Sequence, residues 1–485
     1  MTLPKEIREI IEKLEKAGYE GYAVGGCVRD LLLKELALSK VEGPKDWDVT
    51  TNAKPEEIQK IFPDNIYENT FGTVGVKTGS EDPALALVEV TPYRIEGKYT
   101  DKRHPDEVKF ADKLEDDLSR RDFTVNTMAL GADGRVIDLF NGQGDLKNKI
   151  VRTVGGPNER FGEDALRMLR AVRFAAQLGF KIEDKTLEAI RENSEWLAAI
   201  SKERIRDEFT KIIGSENAYE GILLLEETGL LRFIVPELRE GIGVDQNLHH
   251  IYSVWEHNTR ALKYTVEKKY SLEVRFASLF HDIGKPRSKR GTSHENSTFY
   301  GHEVIGARMA AEIMDRLKFP SDFSEKVIKL VRYHMFYYNP EEVTESSVRR
   351  LLVRIGKENV EDLLKVREAD RIGSGRPKAV PYKLRHLKYI IDKVSDDPIS
   401  AKMLKIDGKD VMEELDIEPG PKVGLILNSL LAETIEEPSK NTRENLMQRI
   451  HELDKKSPEE LRESLKKIEN AIEREEEERR KKYYV

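Results

Sequence analysis

Two aspartates, Asp46 and Asp48, stand one residue apart in the run Lys45-Asp46-Trp47-Asp48-Val49. Side chains alternate across a strand, so on a strand these carboxylates point the same way. Carboxylates that close repel unless a divalent cation sits between them, and such a cation usually also holds phosphate oxygens. Upstream, Gly25-Gly26 lets the backbone approach a phosphate, the next helix presents its N-terminus, and Arg29 adds a guanidinium fork. Glu89 is the lone acid in the apolar run at 85–91. It is either a third carboxylate facing the aspartates or an outward Glu on a half-buried strand. The Gly-Gly turn, the Arg and the Asp-x-Asp strand together suggest metal-dependent nucleotidyl transfer.

A second set lies far downstream. His257, the pair His281-Asp282, His302, His334 and Asp370 supply six nitrogen or oxygen ligands. A lone histidine in a helical region is normally a core or surface residue, but six in this order are harder to dismiss. Imidazole with carboxylate suits Mn, Fe, Ni, Zn or Mg-type ions, and the residue types do not choose among them. Lys285 and Arg287, just past the His-Asp pair, are candidates to hold a phosphate or plain surface charge.

These residues need elements to position them. Tyr22-Ala23-Val24 reads as a short strand into Gly25-Gly26, and 73–77 and 85–91 alternate or run apolar as strands do. Residues 92–112 are polar with Gly and two Pro, the composition of a mobile loop. Arg120-Arg121-Asp122 offers charge for a triphosphate and an internal partner to orient one arginine. Beyond residue 150 strand signals nearly vanish. The stretch 160–174 predicts one helix with two stripes, apolar Leu166, Leu169 and Val172, and ionic Asp164, Arg167, Arg170 and Arg173. The ionic row is a solvated face or something more specific. An Asp and an Arg one turn apart match the Watson–Crick edge of cytosine or adenine: the Asp accepts from the exocyclic amine and the Arg donates to a ring acceptor. The helix expected over 201–213 adds a basic face of Lys202, Arg204, Arg206 and Lys211.

The whole chain narrows the classes. Its 485 residues allow roughly three domains. A net charge of −8 excludes a generally basic nucleic-acid binder, so any RNA contact must come from local basic faces. Cys27 is the single cysteine, which rules out an internal disulfide framework and fits a reducing cytoplasm. In the Gly-Gly turn it is a packed residue rather than a nucleophile. No signal-peptide core and no run of about 18 apolar residues exists, so no membrane segment is expected. Residues 458–485 predict a charged helix with a thin apolar seam, facing solvent or frayed. The oligomeric state is not set by the sequence.

Gly25-Gly26-Cys27-Val28-Arg29-Asp30 followed by Asp46-Trp47-Asp48 resembles the catalytic head of class II tRNA nucleotidyltransferases and bacterial poly(A) polymerases. The run Arg120-Arg121-Asp122-Phe123-Thr124-Val125-Asn126 and the motif Glu163-Asp164-Ala165-Leu166-Arg167 are similar to theirs. The resemblance implies an α+β fold: an N-terminal α/β nucleotidyltransferase head, then an all-α neck, body and tail. It places the head at 1–150, a neck with the base-selecting motif at 151–240, and a metal-dependent domain at 241–375. A helical tail that meets tRNA occupies 376–485. Asp46, Asp48 and Glu89 would be catalytic, with Mg²⁺ on the two aspartates. Gly25, Gly26, Arg29, Arg121, Asp122, Asn126, Asp164, Arg167, Arg170 and Arg173 would bind nucleotide. The downstream ligands resemble the HD superfamily of metal-dependent phosphohydrolases. There His257, His281, Asp282 and Asp370 would form the basic metal set, and His302 and His334 the extra pair of binuclear members, around an unidentified divalent metal. A degenerate domain kept for RNA binding is the alternative. The implied function is template-independent addition of CMP and AMP from CTP and ATP to the tRNA 3′ end. The alternatives are A-only addition, poly(A) synthesis, or an HD phosphohydrolase with a head that only binds RNA.

Overall fold

The computed structural model describes residues 1–36, 43–68, 72–96, 108–246, 251–291, 297–336, 338–376 and 378–483. Of the loop expected at 92–112, residues 97–107 lie outside the described residues, as does Pro377 of the Gly/Pro-bearing linker at 373–378. The chain folds as two compact units, Met1–Arg239 with Asp315–Phe319, and Glu240–Met314 with Pro320–Val485. The fold is α+β, with the large sheet near the N-terminus and mostly helices beyond it; two small strand pairs, Arg94–Glu96 with Val108–Phe110 and Ile150–Val151 with Lys181–Ile182, are added, and the second means that the neck is not wholly helical. Among the described residues no helix is long and apolar enough to cross a membrane.

The sheet of the first unit contains β1 (Gly21–Val24), β2 (Asp48–Thr51), β3 (Asn65–Glu68), β4 (Thr73–Lys77) and β5 (Leu87–Pro92). Its order is β3-β4-β5-β2-β1, continued by Ala129–Leu130 and Val136–Ile137. β2 and β5 run parallel and put Asp48 beside Glu89, while β1 pairs antiparallel with β2. Val24, Val49, Val74, Val88 and Val90 are buried and fix the register, because a one-residue slip would turn them to solvent. Two expectations shift here. The strand begins at Asp48, so Asp46 lies before it, exposed, with buried Trp47 between them. Residues 83–86 form a helical turn started by Pro83, which delays β5 to Leu87.

The helix expected over 160–174 is broken in two, Pro157–Glu163 and Leu166–Leu178. Asp164 sits in the break at φ −141°, and its Oδ1 accepts from the Leu166 N–H at 3.0 Å. That local bond gives the backbone an alternative to continuing the helix.

In the second unit, Ser253 and Glu256 close a capping box that starts the helix Val254–Glu267. Further helices are Leu272–Phe280, His302–Arg316, Ser321–Tyr333, Val360–Gly373 and Tyr382–Val394. The tail has its own core of Ile406, Val411, Ile426, Leu430, Leu446, Ile450, Leu453 and Leu461. Leu461 is fully buried, so the last helix, Pro458–Tyr483, is anchored at its start rather than wholly solvent-facing. Asp407 and Asp410 form a second capping box, at the start of Gly408–Leu415.

Candidate functional site

β1 delivers the chain to Gly25, whose φ of +87° only glycine adopts without strain. A Cβ there would lie 3.2 Å from Arg121 Nη1 and 3.8 Å from Asp48 Oδ2, so Gly25 keeps that pocket open. Burial pushes the Asp48 carboxyl up to about 6; Arg121 opposes the shift, while Glu89 and Asp46 add to it. This collection of mutually repelling carboxylates is chemically suited to Mg²⁺, a hard cation that takes oxygen ligands. Among the described residues, Asp46, Asp48 and Glu89 do not draw ligand atoms into a compact three-residue cluster. The Cys27 thiol is buried and donates to the Val24 carbonyl at 3.3 Å, and burial drives it up to about 12, in keeping with a packed residue.

Arg121 is held from behind by Asp117, which was not among the residues expected at the site. Asp117 is fully buried; Arg121 Nη2 donates to its Oδ2 at 3.1 Å, Arg120 Nη2 to its Oδ1 at 2.6 Å, and the Thr50 hydroxyl to Oδ2 at 3.3 Å. Its signal in the sequence is the spacing: an acid three and four residues before paired arginines on a short helix.

The other residues expected at the nucleotide site form one network. Arg29 Nη1 donates to Asn126 Oδ1 at 2.7 Å, Asn126 Nδ2 to Asp122 Oδ1 at 3.3 Å, and Arg170 Nε to Asp122 Oδ2 at 2.8 Å. Burial works against the Asp122 charge, but Arg170 and Arg167 outweigh it and hold the carboxyl down at about 2. Arg173 pairs with buried Glu208 at 3.1 Å and lies 4.1 Å over the Phe174 ring. Arg29 and Arg170 lie 5.3 and 5.4 Å from the same ring. Burial and Arg170 push Arg173 down to about 10. An anion entering this crowd of guanidinium groups would relieve that repulsion.

Asp164 and Arg167 do not share one helical stripe. Arg204 Nη2 meets Asp164 Oδ2 at 2.7 Å. Arg167 Nη1 donates to Glu163 Oε2 at 2.5 Å and its Nη2 to the Arg120 carbonyl at 3.1 Å. Both groups therefore have protein partners of opposite charge, which a base edge would have to replace. On the expected basic face, Arg206 binds Asp207 and the Lys318 carbonyl, and Lys211 lies 3.5 Å from Glu208.

All six downstream ligands converge within the second unit. His257, His281, Asp282 and Asp370 offer ligand atoms within 4.8 Å of one another, and so do Asp282, His302 and His334. Asp282 is common to both sets. Its Oδ2 lies 3.0 Å from His257 Nε2 and 3.4 Å from His281 Nε2, and its Oδ1 lies 3.2 Å from His302 Nε2 and 3.5 Å from His334 Nε2. Three rings are oriented from behind. The Nδ1 atoms of His281, His302 and His334 meet the carbonyls of Ser278, Phe299 and Val331 at 2.7, 2.8 and 2.7 Å. A carbonyl can only accept, so each Nδ1 carries a proton and each Nε2 is the ring atom turned inward, the orientation of metal-ligating histidines. Burial drives His334 down to about 4, which keeps it neutral. Burial also works against a charge on His281, but Asp282 outweighs it and holds that ring up to about 9. These imidazole nitrogens and carboxylate oxygens are donors that suit a divalent metal ion, and Asp282 is common to both groups. Lys285 Nζ, 2.5 Å from Asp282 Oδ2 and 2.6 Å from Gln246 Oε1, is committed to the cluster, whereas Arg287 pairs with Glu240 at 2.7 Å.

Three family profiles match the chain: "Poly A polymerase head domain" over residues 21–152, "Probable RNA and SrmB-binding site of polymerase A" over 179–242, and tRNA nucleotidyltransferase domain 2 over 304–450. A CCA-adding enzyme of Lactobacillus delbrueckii subsp. bulgaricus is 46% identical over 222 residues, 46% of this chain and 53% of that protein. The chain thus spans about half the length of the first curated relatives it matches. The CCA-adding enzyme of Lactococcus lactis subsp. lactis is 33% identical over 452 residues, 90% of this chain and 96% of that protein. The crystal structure of Bacillus stearothermophilus CCA-adding enzyme in complex with CTP superposes with a TM-score of 0.68 at 28% identity, covering 93% of this chain and 98% of that one. Similarity at this level along nearly the full length of a relative, together with the matching head, means that the chain belongs to the family of CCA-adding enzymes.

Proposed function

We propose that this chain adds CMP and AMP from CTP and ATP to the 3′ end of tRNA and releases pyrophosphate. The observation that carries the reading is Asp48, half-buried at the start of β2 with Glu89 beside it and Arg121 across the Gly25 pocket. Asp46 and Asp48 would hold Mg²⁺, which when bound lowers the pKa of an attacking 3′ hydroxyl and balances charge on pyrophosphate. The chain's own groups do the positioning. Gly25 and Gly26 let the triphosphate approach the backbone, and Arg121, braced by Asp117, adds positive charge on the Asp48 side. Arg29, Asn126, Asp122 and Arg170 form a preset frame that loses little entropy when nucleotide arrives. Asp164 and Arg167 would read the base after exchanging Arg204 and Glu163 for its Watson–Crick edge. The test uses tRNAs ending at the discriminator base, at C and at CC, each with CTP, ATP or both. Sequenced products ending in a single CCA support the reading; A on CC ends alone indicates an A-only enzyme, and long tails a poly(A) polymerase. No extension of any end leaves a head that only binds RNA.

A second activity is favoured by the six converging ligands: metal-dependent hydrolysis of a phosphomonoester or a 2′,3′-cyclic phosphate. Divalent ions bound there would supply an activated hydroxide. His281, His302 and His334 would keep their Nε2 atoms aimed through their carbonyl bonds, and Asp282 would tie the two halves together. A tRNA ending in a cyclic phosphate has no free 3′ hydroxyl, so this hydrolysis would serve the first activity. Purification with Mn²⁺, Ni²⁺ or Mg²⁺ and assay of 2′,3′-cyclic AMP, 2′-AMP and p-nitrophenyl phosphate test it. No turnover and no bound metal by elemental analysis would leave a helical support for RNA.

A further inference from the structure

The helix Tyr382–Val394 buries Leu384, Leu387 and Val394 and turns an aromatic row outward. Tyr382, His386 and Tyr389 follow at helical spacing of four and three, so they share one face. Tyr382 and Tyr389 are each 62% exposed, which is unusual for two large rings on one face. The His386 ring is 5.9 Å from that of Tyr382, tilted 44°, and 6.2 Å from that of Tyr389, tilted 53°. These tilts leave ring faces open instead of closing them on each other. Tyr338 braces the row from the side: its ring is 6.0 Å from His386 and its hydroxyl bonds His386 Nδ1.

The surroundings are basic. Residues 376–393 hold Arg376, Lys378, Lys383, Arg385, Lys388 and Lys393, with Asp392 the acid of the stretch; Lys388 and Lys393 pair with Glu368 and Glu345, and the other four cations flank the row, in a chain whose net charge is −8. Two ties set the row beside the helices of the histidine–aspartate cluster. Tyr338 lies four residues past His334, and Lys388 pairs at 3.0 Å with Glu368, two residues before Asp370.

We propose that the Tyr382–His386–Tyr389 face, with Tyr338 behind it, is a stacking platform for unpaired RNA nucleotides. Every base has a π-face, so exposed aromatic rings bind bases without reading sequence, and the flanking cations track the phosphates. A duplex hides its base faces and gains only the charge term. The ligand is single-stranded RNA, because exposed ring faces flanked by cations complement bases and phosphates together. The inference rests on the reading of the chain as an enzyme of RNA ends, but its test does not use nucleotide addition.

The experiment cross-links the full chain to a single strand of about eight nucleotides, the scale of an aromatic binding groove. The strand carries 5-iodouridine and a 3′-deoxy end, so the transferase cannot extend it. Mass spectrometry should place the adduct on Tyr382, His386 or Tyr389. Tyr382→Ala with Tyr389→Ala should abolish that adduct and weaken single-strand binding about tenfold, as lost base stacking does, while leaving a duplex of the same sequence bound as before. Tyr382→Phe with Tyr389→Phe should keep both adduct and affinity. Adducts confined to residues 1–239, or an alanine pair that binds the strand as well as the wild type, overturn the proposal. So does equal loss of strand and duplex, which would reduce the face to a charged surface. The wild-type map stands whether or not the alanine pair folds, and CMP and AMP addition on the same preparation reports separately on the proposed function.

Discussion

Asp122 shows how a residue expected to touch nucleotide also holds the fold. Its buried carboxylate takes Arg170 and Asn126 and stays at about 2, below an unfolded value of about 3.9. A folded pKa below the unfolded one adds stability that is complete above about pH 4 and lost as pH falls toward 2. The contribution is on the order of 2 kcal/mol. Asp122→Asn should therefore lower stability by about that amount at pH 7 and flatten the acid limb of a denaturation series; an unchanged acid limb would show that Asp122 is not the group responsible. At Asp164 the expected effect is selectivity. Asp164→Ala removes the acceptor for an exocyclic amine, and a lost base contact of about 1–3 kcal/mol should raise UTP or GTP use relative to CTP and ATP roughly tenfold or more. A uniform fall in rate with unchanged selectivity, measured by competition, would make Asp164 a structural residue that caps Leu166 and pairs with Arg204.

Elements bring these residues together through a few close approaches. Gly284 follows the His-Asp pair, and a Cβ there would collide with the His302 carbonyl and come within 2.5 Å of Gly306 N. Gly284→Ala should thus push the helix that starts at His302 away from Asp282. We expect a loss of about 1–3 kcal/mol in stability from overpacking, with reduced metal content by elemental analysis. Wild-type values of both would mean that the helix tolerates the shift. The strand at 87–92 was legible in the sequence because its alternation is a period-two signal that the sheet obeys, with Val88 and Val90 buried and Glu89 exposed, whereas β2 and β4 bury consecutive residues. The break at Asp164 was not, because a row at 164, 167, 170 and 173 fits a continuous helix until Asp164 caps Leu166 instead. Asp117 was hidden for another reason: in the run Glu115-Asp116-Asp117 an acid reads as surface, and only burial against two arginines sets it apart. The six downstream ligands were legible by type and order, but they are scattered from 257 to 370, and only the helices could show that Asp282 is common to both sets.

At the scale of the molecule, the two candidate sites share no ligand and belong to different compact units. His281→Ala with Asp282→Ala should strip metal and hydrolysis from the second unit and leave CMP and AMP addition within about twofold of wild type. A parallel loss of addition in a folded variant would show that the units depend on each other for catalysis.

The central claim is that the carboxylates at the head of β2 perform nucleotide transfer, and Asp48→Ala tests it most directly. The measurement is single-turnover extension of tRNA ending at the discriminator base with CTP, and of tRNA ending in CC with ATP, alongside circular dichroism of the same protein. The account predicts no extension of either end by a folded variant, since the loss of one of two metal carboxylates removes charge balance at the reacting phosphate. Near-wild-type extension of either end would contradict it.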